Sequence, residues 1–145
     1  MWDYDNAAPP ALTTIRKDGR EIPAVIQATK AGMMFILNRE TGEPIFDVED
    51  RRVPASNIPG EQASPTQPFT AVTPPLSPQE FSLDQIWGLT NEDRQACYDQ
   101  IKDLRNEGIF TPPSLQGTLV YPSNIGGAHW GGVAIDLLSK SQSFP

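Results

Sequence analysis

The side chains best able to do chemistry are few and lie far apart along the chain. Lys30 opens a short turn between two apolar runs, Asp3 lies near the start of the sequence, and His129 is the only histidine. A histidine can change its charge near neutral pH. From residue type and spacing alone, however, Lys30 is typical of a solvated turn lysine, Asp3 of a surface carboxylate and His129 of a structural histidine.

A cysteine and a glycine-rich loop are the other candidates. No histidine or basic residue is placed by the sequence to activate the thiol of Cys97, which favours a packing residue over a reactive one. Four glycines, at 126, 127, 131 and 132, would let backbone approach a flat ligand closely. A wide turn is the simpler interpretation of these glycines.

Composition excludes several classes of function. The chain has 145 residues, 15 prolines, 11 glycines and a net charge of −7, with no lysine or arginine cluster that could neutralise a run of phosphates. Nucleic acid is therefore an unexpected partner. The longest apolar stretch, 33–37, is far too short to span a bilayer, and one cysteine excludes an internal disulfide or a Cys-based zinc cluster. Nothing in the sequence as it stands is typical of a secretory signal.

The first third of the chain has the pattern of a β-meander. Four short apolar runs are separated by turn residues, and Asp18-Gly19 is a strong hairpin signal because a type I′ turn needs positive φ. We predict an antiparallel sheet of four strands at 12–15, 24–29, 33–38 and 45–49. Its size matches one β-propeller blade, although any small β-domain would fit the pattern equally.

The rest of the chain alternates loop, helix and strand signals. Residues 51–80 are proline-rich and aperiodic, which predicts a long loop, whereas 82–108 predict a helical insertion. In that insertion Thr90 is a candidate N-cap, Gly108 a candidate terminator, and Cys97, Ile101 and Leu104 fall on one helix face. Strand-like runs return at 118–121 and 132–136.

Six stretches, in this order and spacing, resemble the membrane-bound quinoprotein glucose dehydrogenases, a group that includes quinate/shikimate dehydrogenases. They are "WDYD", "TKAGMMFILNRETGEPIF", "SPTQPF", "IWGLT", "NEGIFTPPSLQGTLVYPSN" and "HWGGVAID". The resemblance implies pyrroloquinoline quinone (PQQ) and Ca²⁺ or Mg²⁺ as cofactors, inside an eight-bladed β-propeller. For this chain it implies an all-β fold, a partial propeller of about two blades, with one blade at 12–48 and strands of the next at 109–138.

The resemblance also assigns roles to named residues. The aspartate of "WDYD", Asp3, would be the catalytic base and a metal ligand, and Lys30 would point inward to contact PQQ. Trp130 and His129 would lie at the cofactor pocket, although a blade-packing tryptophan explains Trp130 equally well. The family often has an acidic residue where this chain has His129, and this departure weakens any acid or base role carried over to that position.

The function implied is oxidation of glucose or a related polyol to the lactone or ketone. By resemblance, ubiquinone would receive the electrons at the periplasmic side of the bacterial inner membrane. The chain is much shorter than eight blades require, so we expect a fragment that is inactive by itself. Two rival hypotheses are a non-catalytic β-rich interaction module and a small sugar-binding domain, although no single aromatic stripe supports the latter.

Overall fold

The computed structural model describes residues 1–136, and most of its regular structure is antiparallel sheet. Five strands, one helix and one 3₁₀ turn follow in chain order. They are β1 (Ala11–Lys17), β2 (Arg20–Ala28), β3 (Met34–Asn38), β4 (Val48–Arg52), β5 (Thr66–Thr70), the 3₁₀ turn (Leu83–Gln85) and α1 (Asn91–Ile101). The predicted all-β class with a helical segment is therefore confirmed.

The first sheet has the strand order β1-β2-β3, and the predicted hairpin opens it. Lys17 pairs with Arg20, so Asp18 and Gly19 alone form the loop. Their φ angles of 52° and 75° are both positive, as a type I′ turn requires. The buried face of this sheet forms the first core, which contains Ile15, Ala24, Ile36 and Ile45.

The prediction of a fourth strand in this sheet is wrong. After β3 the chain turns back beside it through an isolated Leu37–Pro44 bridge and two hydrogen bonds, from Asn38 N–H to Glu43 O and from Ile45 N–H to Ile36 O. Pro44 has no N–H to continue the ladder, which limits pairing at this point. Ile45 stays in the first core, while β4 begins at Val48 and pairs with β5 in a second sheet.

The proline-rich segment 51–80 is less irregular than its composition predicts. It contributes the end of β4 and all of β5, with Pro68 opposite Asp50. Proline is tolerated in this two-stranded sheet because each strand has a free edge. The pattern failed because β4 and β5 show too few apolar residues for a strand signal, and their pairing joins distant segments.

Helix α1 begins where the sequence predicts but ends early. The Thr90 hydroxyl accepts a hydrogen bond from Asp93 N–H, and the Asp93 carboxylate accepts one from Thr90 N–H, both at 3.1 Å. The helix ends at Ile101, well before Gly108. None of its residues is buried, and Cys97 is exposed, so the packing role predicted for Cys97 is wrong.

The end of the described chain has no regular strands. The predicted strands at 118–121 and 132–136 are absent; Thr118 forms only an isolated parallel bridge with Arg105. These two runs have a strand-like composition, but no neighbouring strand among residues 1–136 pairs with them. The last two positions of the predicted 109–138 segment lie outside the described residues.

A second core joins distant parts of the chain. Ala31, Met33, Ile109 and Phe110 are buried together, and five partly buried side chains pack against them: Trp2, Tyr4, Phe35, Val53 and Phe69. Two residues of this core, Ala31 and Met33, belong to the turn that carries Lys30. No helix among the described residues has the length and apolar character needed to cross a membrane.

Candidate active site

The segment that begins the chain presents two carboxylates on one side. The indole N–H of Trp2 donates to the Phe110 carbonyl oxygen at 2.9 Å, and the rings of Trp2 and Tyr4 meet Phe110 edge-on. Side chains alternate sides in an extended segment. Because Trp2 and Tyr4 face the second core, Asp3 and Asp5 face away from it, each with 65% of its side chain exposed.

Lys30 lies in a tight turn over the same core. Gly32 N–H donates to Thr29 O, and Thr29 N–H donates to Met33 O, both at 2.9 Å. We call residues 29–33 the Lys30 turn. Gly32 adopts a φ of 71°, which suits glycine. Only 6% of Lys30 is exposed, so it is not the solvated turn lysine that its sequence context alone indicates.

The Lys30 ammonium is paired with both carboxylates. Its Nζ lies 2.5 Å from Asp5 Oδ1 and 3.4 Å from Asp3 Oδ1. A buried ammonium needs such partners because it has lost its water. The hydrogen bond from Lys30 holds the pKa of Asp5 below its usual range, and the bond to Asp5, assisted by Asp3, raises the pKa of Lys30. Lys30 is therefore a charged residue in the fold.

Asp5 is the member of this group that sequence reasoning missed. A signal was available, because "WDYD" alternates aromatic and acidic residues with period two. That period places both carboxylates on the same side of an extended segment whenever both aromatic rings are buried. The pattern could not show that Lys30 lies opposite them.

The glycine loop, residues 126–132, packs on the Lys30 turn. Gly127 N–H donates to Lys30 O at 2.7 Å. A Cβ added at Gly126 would lie 2.6 Å from Lys30 Cα, and one added at Gly127 would lie 2.6 Å from Gly32 Cα. The close backbone approach allowed by these two glycines is therefore made to the protein's own turn.

A second segment holds the Lys30 turn from another side. Leu76 N–H donates to Gly32 O at 2.6 Å, and the Gln79 side-chain amide donates to Ala31 O at 2.8 Å. Loop residues 76–79 of the proline-rich segment thus support the position of Lys30. With the Gly127 bond, three successive carbonyl groups, those of residues 30–32, are hydrogen-bonded from outside the turn.

His129 and Trp130 lie in the glycine loop, but they form a pair of their own. Their ring centroids are 4.8 Å apart, and Trp130 is 77% exposed. Within residues 1–136, no hydrogen bond or ion pair joins either side chain to Asp3, Asp5 or Lys30. The structure thus brings Asp3 and Lys30 together and adds Asp5, without joining His129 or Trp130 to them.

The Lys30 ammonium keeps one donor for a further acceptor. An ammonium has three N–H donors, and the two carboxylates occupy two of those on Lys30. The third can serve an oxygen of a ligand such as a quinone. By contrast, the described part of the chain holds no group of three His, Cys, Asp or Glu residues able to bind a metal, whereas Ca²⁺ takes six to eight oxygen ligands.

Comparison with known proteins agrees with the resemblance. The chain is 38% identical over 137 residues to the quinoprotein glucose dehydrogenase of Escherichia coli K12, and 41% identical over 138 residues to that of Gluconobacter oxydans 621H. It is 36% identical over 137 residues to the quinate/shikimate dehydrogenase (quinone) of Acinetobacter baylyi. Each match covers 94% of this chain but only 17% of the relative. No solved structure matches.

The family model described as "PQQ: Glucose/ethanol/alcohol dehydrogenase, beta-propeller domain" matches residues 1–142. Two antiparallel sheets with one short helix are consistent with part of such a propeller. The chain belongs to this family of PQQ-dependent dehydrogenases.

Proposed function

We propose that this chain is part of a PQQ-dependent dehydrogenase that oxidises glucose or a related polyol. One observation carries the proposal: a buried, charged lysine and an exposed aspartate, 27 residues apart in sequence, meet with Nζ 3.4 Å from Oδ1. The names of the relatives, glucose and quinate/shikimate dehydrogenases, support this reaction class.

In this proposal Asp3 is the general base. Its carboxylate accepts the proton of the substrate hydroxyl as that oxygen becomes the carbonyl of a lactone or ketone. The exposure of Asp3 supports the role, because substrate can approach from solvent while the segment stays anchored by Trp2. Lys30 donates a charge-assisted hydrogen bond to the oxygen that gains negative charge on the acceptor side.

When bound, PQQ would supply the acceptor for the hydride, one proton with two electrons, that leaves the substrate C–H bond. This chain would contact it through Lys30, and through His129 and Trp130 if the glycine loop borders the same pocket. Stacking on the exposed ring of Trp130 is one suitable contact. We assign ubiquinone as the later electron acceptor, at the periplasmic side of the inner membrane, from the family resemblance alone.

A divalent cation, Ca²⁺ or Mg²⁺, is included in the proposal with Asp3 as one ligand. Among the described residues, no group of three His, Cys, Asp or Glu side chains could hold the cation. Its remaining ligands would have to come from other parts of a longer protein. The roles assigned to Asp3 and Lys30 do not depend on which cation is used.

The proposal is tested in a segment-swap enzyme. This chain would replace the matching segment of the Gluconobacter oxydans glucose dehydrogenase, and dye reduction would be measured with PQQ, Ca²⁺ or Mg²⁺, and glucose, quinate or glycerol. We expect activity with at least one substrate, and a loss of about 10²-fold or more in kcat for Asp3→Asn and for Lys30→Met. Glu40→Gln, an exposed turn substitution, is the matched control.

Two results would contradict the proposal. One is a folded chimera that binds PQQ but oxidises no substrate of this group. The other is full activity in Asp3→Asn, which would remove the assigned base.

A further inference from the structure

Two carboxylates contact the Lys30 ammonium, but Asp5 lies closer to it than Asp3 does. We propose that Asp5 is a positioning residue that holds the Lys30 ammonium, so that the Asp3 carboxylate remains available to substrate. The inference rests on the proposed function and deepens it, because it divides two neighbouring acidic residues into different roles.

The distances support this division. Asp5 Oδ1 is 2.5 Å from Nζ, a close charge-assisted contact, whereas the 3.4 Å to Asp3 Oδ1 is a long one. A carboxylate has about four lone-pair sites, so Asp3 keeps most of its hydrogen-bonding capacity for other groups. If Asp3 were the principal partner of Lys30, more of that hydrogen-bonding capacity would be used for the ammonium and less would remain for the substrate.

The construction of the site explains why a positioning residue is needed. The backbone of Lys30 is fixed by Gly127, but its four-carbon side chain has several rotatable bonds. The side chain is 8% exposed, so its charged end cannot rely on water for either solvation or direction. The Asp5 carboxylate supplies both solvation and direction, because it makes the shorter of the two contacts with Nζ.

The backbone that carries Asp5 is itself held on both sides of that residue. On one side, Trp2 and Tyr4 are anchored on Phe110, and the Tyr4 hydroxyl donates to Tyr121 O at 3.4 Å. On the other, Ala7 N–H donates to Asp5 O at 3.1 Å and starts a turn. An exposed carboxylate on an anchored backbone can orient a lysine more reliably than one on a free terminus.

The first experiment measures the position of Lys30 without catalysis. The full chain would be acetylated with an N-hydroxysuccinimide ester at one fixed pH, and the modification rate at Lys30 compared by mass spectrometry with the rates at Lys17 and Lys102. We expect Asp5→Asn to raise the relative rate at Lys30 by about tenfold, and Asp5→Glu to restore slow labelling. Asp3→Asn should change it by less than about twofold.

The second experiment measures catalysis in the segment-swap enzyme. Asp5→Asn should lower kcat by about 10- to 100-fold, the usual cost of losing an orienting partner, while substrate KM changes little. Asp5→Glu should recover part of that kcat. A carboxylate that merely stabilised the fold would lower the amount of folded enzyme without this split between kcat and KM.

The outcomes separate this inference from the proposed function. If the chimera oxidises nothing, the proposed function fails, while the labelling comparison still decides whether Asp5 holds Lys30. The inference is overturned if Asp3→Asn exposes Lys30 to labelling more than Asp5→Asn does. It is also overturned if folded Asp5→Asn keeps the labelling rate and kcat of the unsubstituted chain.

Discussion

At the scale of single residues, the Lys30 turn depends on the absence of side chains at two distant positions. Gly126 and Gly127 touch the backbone of residues 30–32 with no room for a Cβ. Gly126 also has a φ of 88°, whereas Gly127 is not in the left-handed region. A substitution at Gly127 therefore tests steric fit alone.

We predict that Gly127→Ala destabilises the chain by about 1–3 kcal/mol, the usual cost of overpacking. The added Cβ would lie 2.6 Å from Gly32 Cα and 2.5 Å from the Ser77 hydroxyl oxygen, so backbone must move. Gly131→Ala is the matched control, because its Cβ would meet nothing within 4 Å. Thermal unfolding followed by circular dichroism measures both, and equal midpoints would contradict the prediction.

The sequence revealed part of the candidate site but not its full composition. The family resemblance identified Asp3 and Lys30, and the structure brings them together. The burial of Lys30 was not readable from its turn context, because burial results from contacts with Asp5 and Gly127, which are distant in sequence. Roles at His129 and Trp130 stay predictions.

At the scale of elements, features set by neighbouring residues were predictable and features set by distant pairing were not. Asp18-Gly19 formed the expected turn, and Thr90 the expected cap, because both depend on a few adjacent residues. The prediction of the fourth strand was wrong because the residues from Val48 pair with β5. A local sequence pattern does not identify such a distant partner. Trp87, an aromatic residue of the predicted helical insertion, is 73% exposed, so it does not pack within that insertion.

The β1–β2 hairpin gives one element-scale prediction. Gly19→Ala should cost about 1–2 kcal/mol, since an alanine is strained at a φ of 75° although nothing lies within 4 Å of its Cβ. Asp18→Asn should be nearly neutral, because asparagine suits positive φ. Urea unfolding of the two variants measures the difference, and a neutral Gly19→Ala would contradict the type I′ assignment.

Helix α1 gives a second element-scale prediction. None of its residues is buried, so its stability depends on the caps at its two ends. Loss of the Thr90 cap in Thr90→Ala should cost about 1 kcal/mol, which corresponds to roughly fivefold faster amide exchange in α1. Thr90→Ser keeps the hydroxyl and serves as the control. Hydrogen exchange with mass spectrometry on residues 91–101 makes the measurement; unchanged exchange in Thr90→Ala would mean that packing holds the helix instead.

At the scale of the whole molecule, the chain exposes many large apolar side chains for its size. Leu12, Trp87, Leu89, Leu115, Ile125 and Trp130 are each more than 60% exposed. Isolated exposed apolar residues are ordinary, and these six are available for contact with further protein in relatives of which the chain spans 17%. The rival hypothesis of a non-catalytic interaction module would use the same side chains.

We therefore predict that chain 1–145 alone, supplied with PQQ and Ca²⁺, will not reduce a dye acceptor with glucose, whereas the segment-swap enzyme will. A partial ligand set cannot preorganise the site. We also expect the isolated chain to associate as its concentration rises, as judged by size-exclusion chromatography with light scattering. Turnover by the monomeric chain would contradict both expectations, and an inactive chimera with a tightly self-associating chain would favour the interaction module.

The glycine loop has a consequence for biosynthesis. Lys30 is synthesised well before Gly127, whose amide binds the Lys30 carbonyl. Domains begin to fold during synthesis, and N-terminal parts do so first. The nascent polypeptide must therefore carry an unfinished lysine site until Gly127 has been made, and a product released before residue 126 would contain both Asp3 and Lys30 yet lack the glycine loop that binds the Lys30 turn.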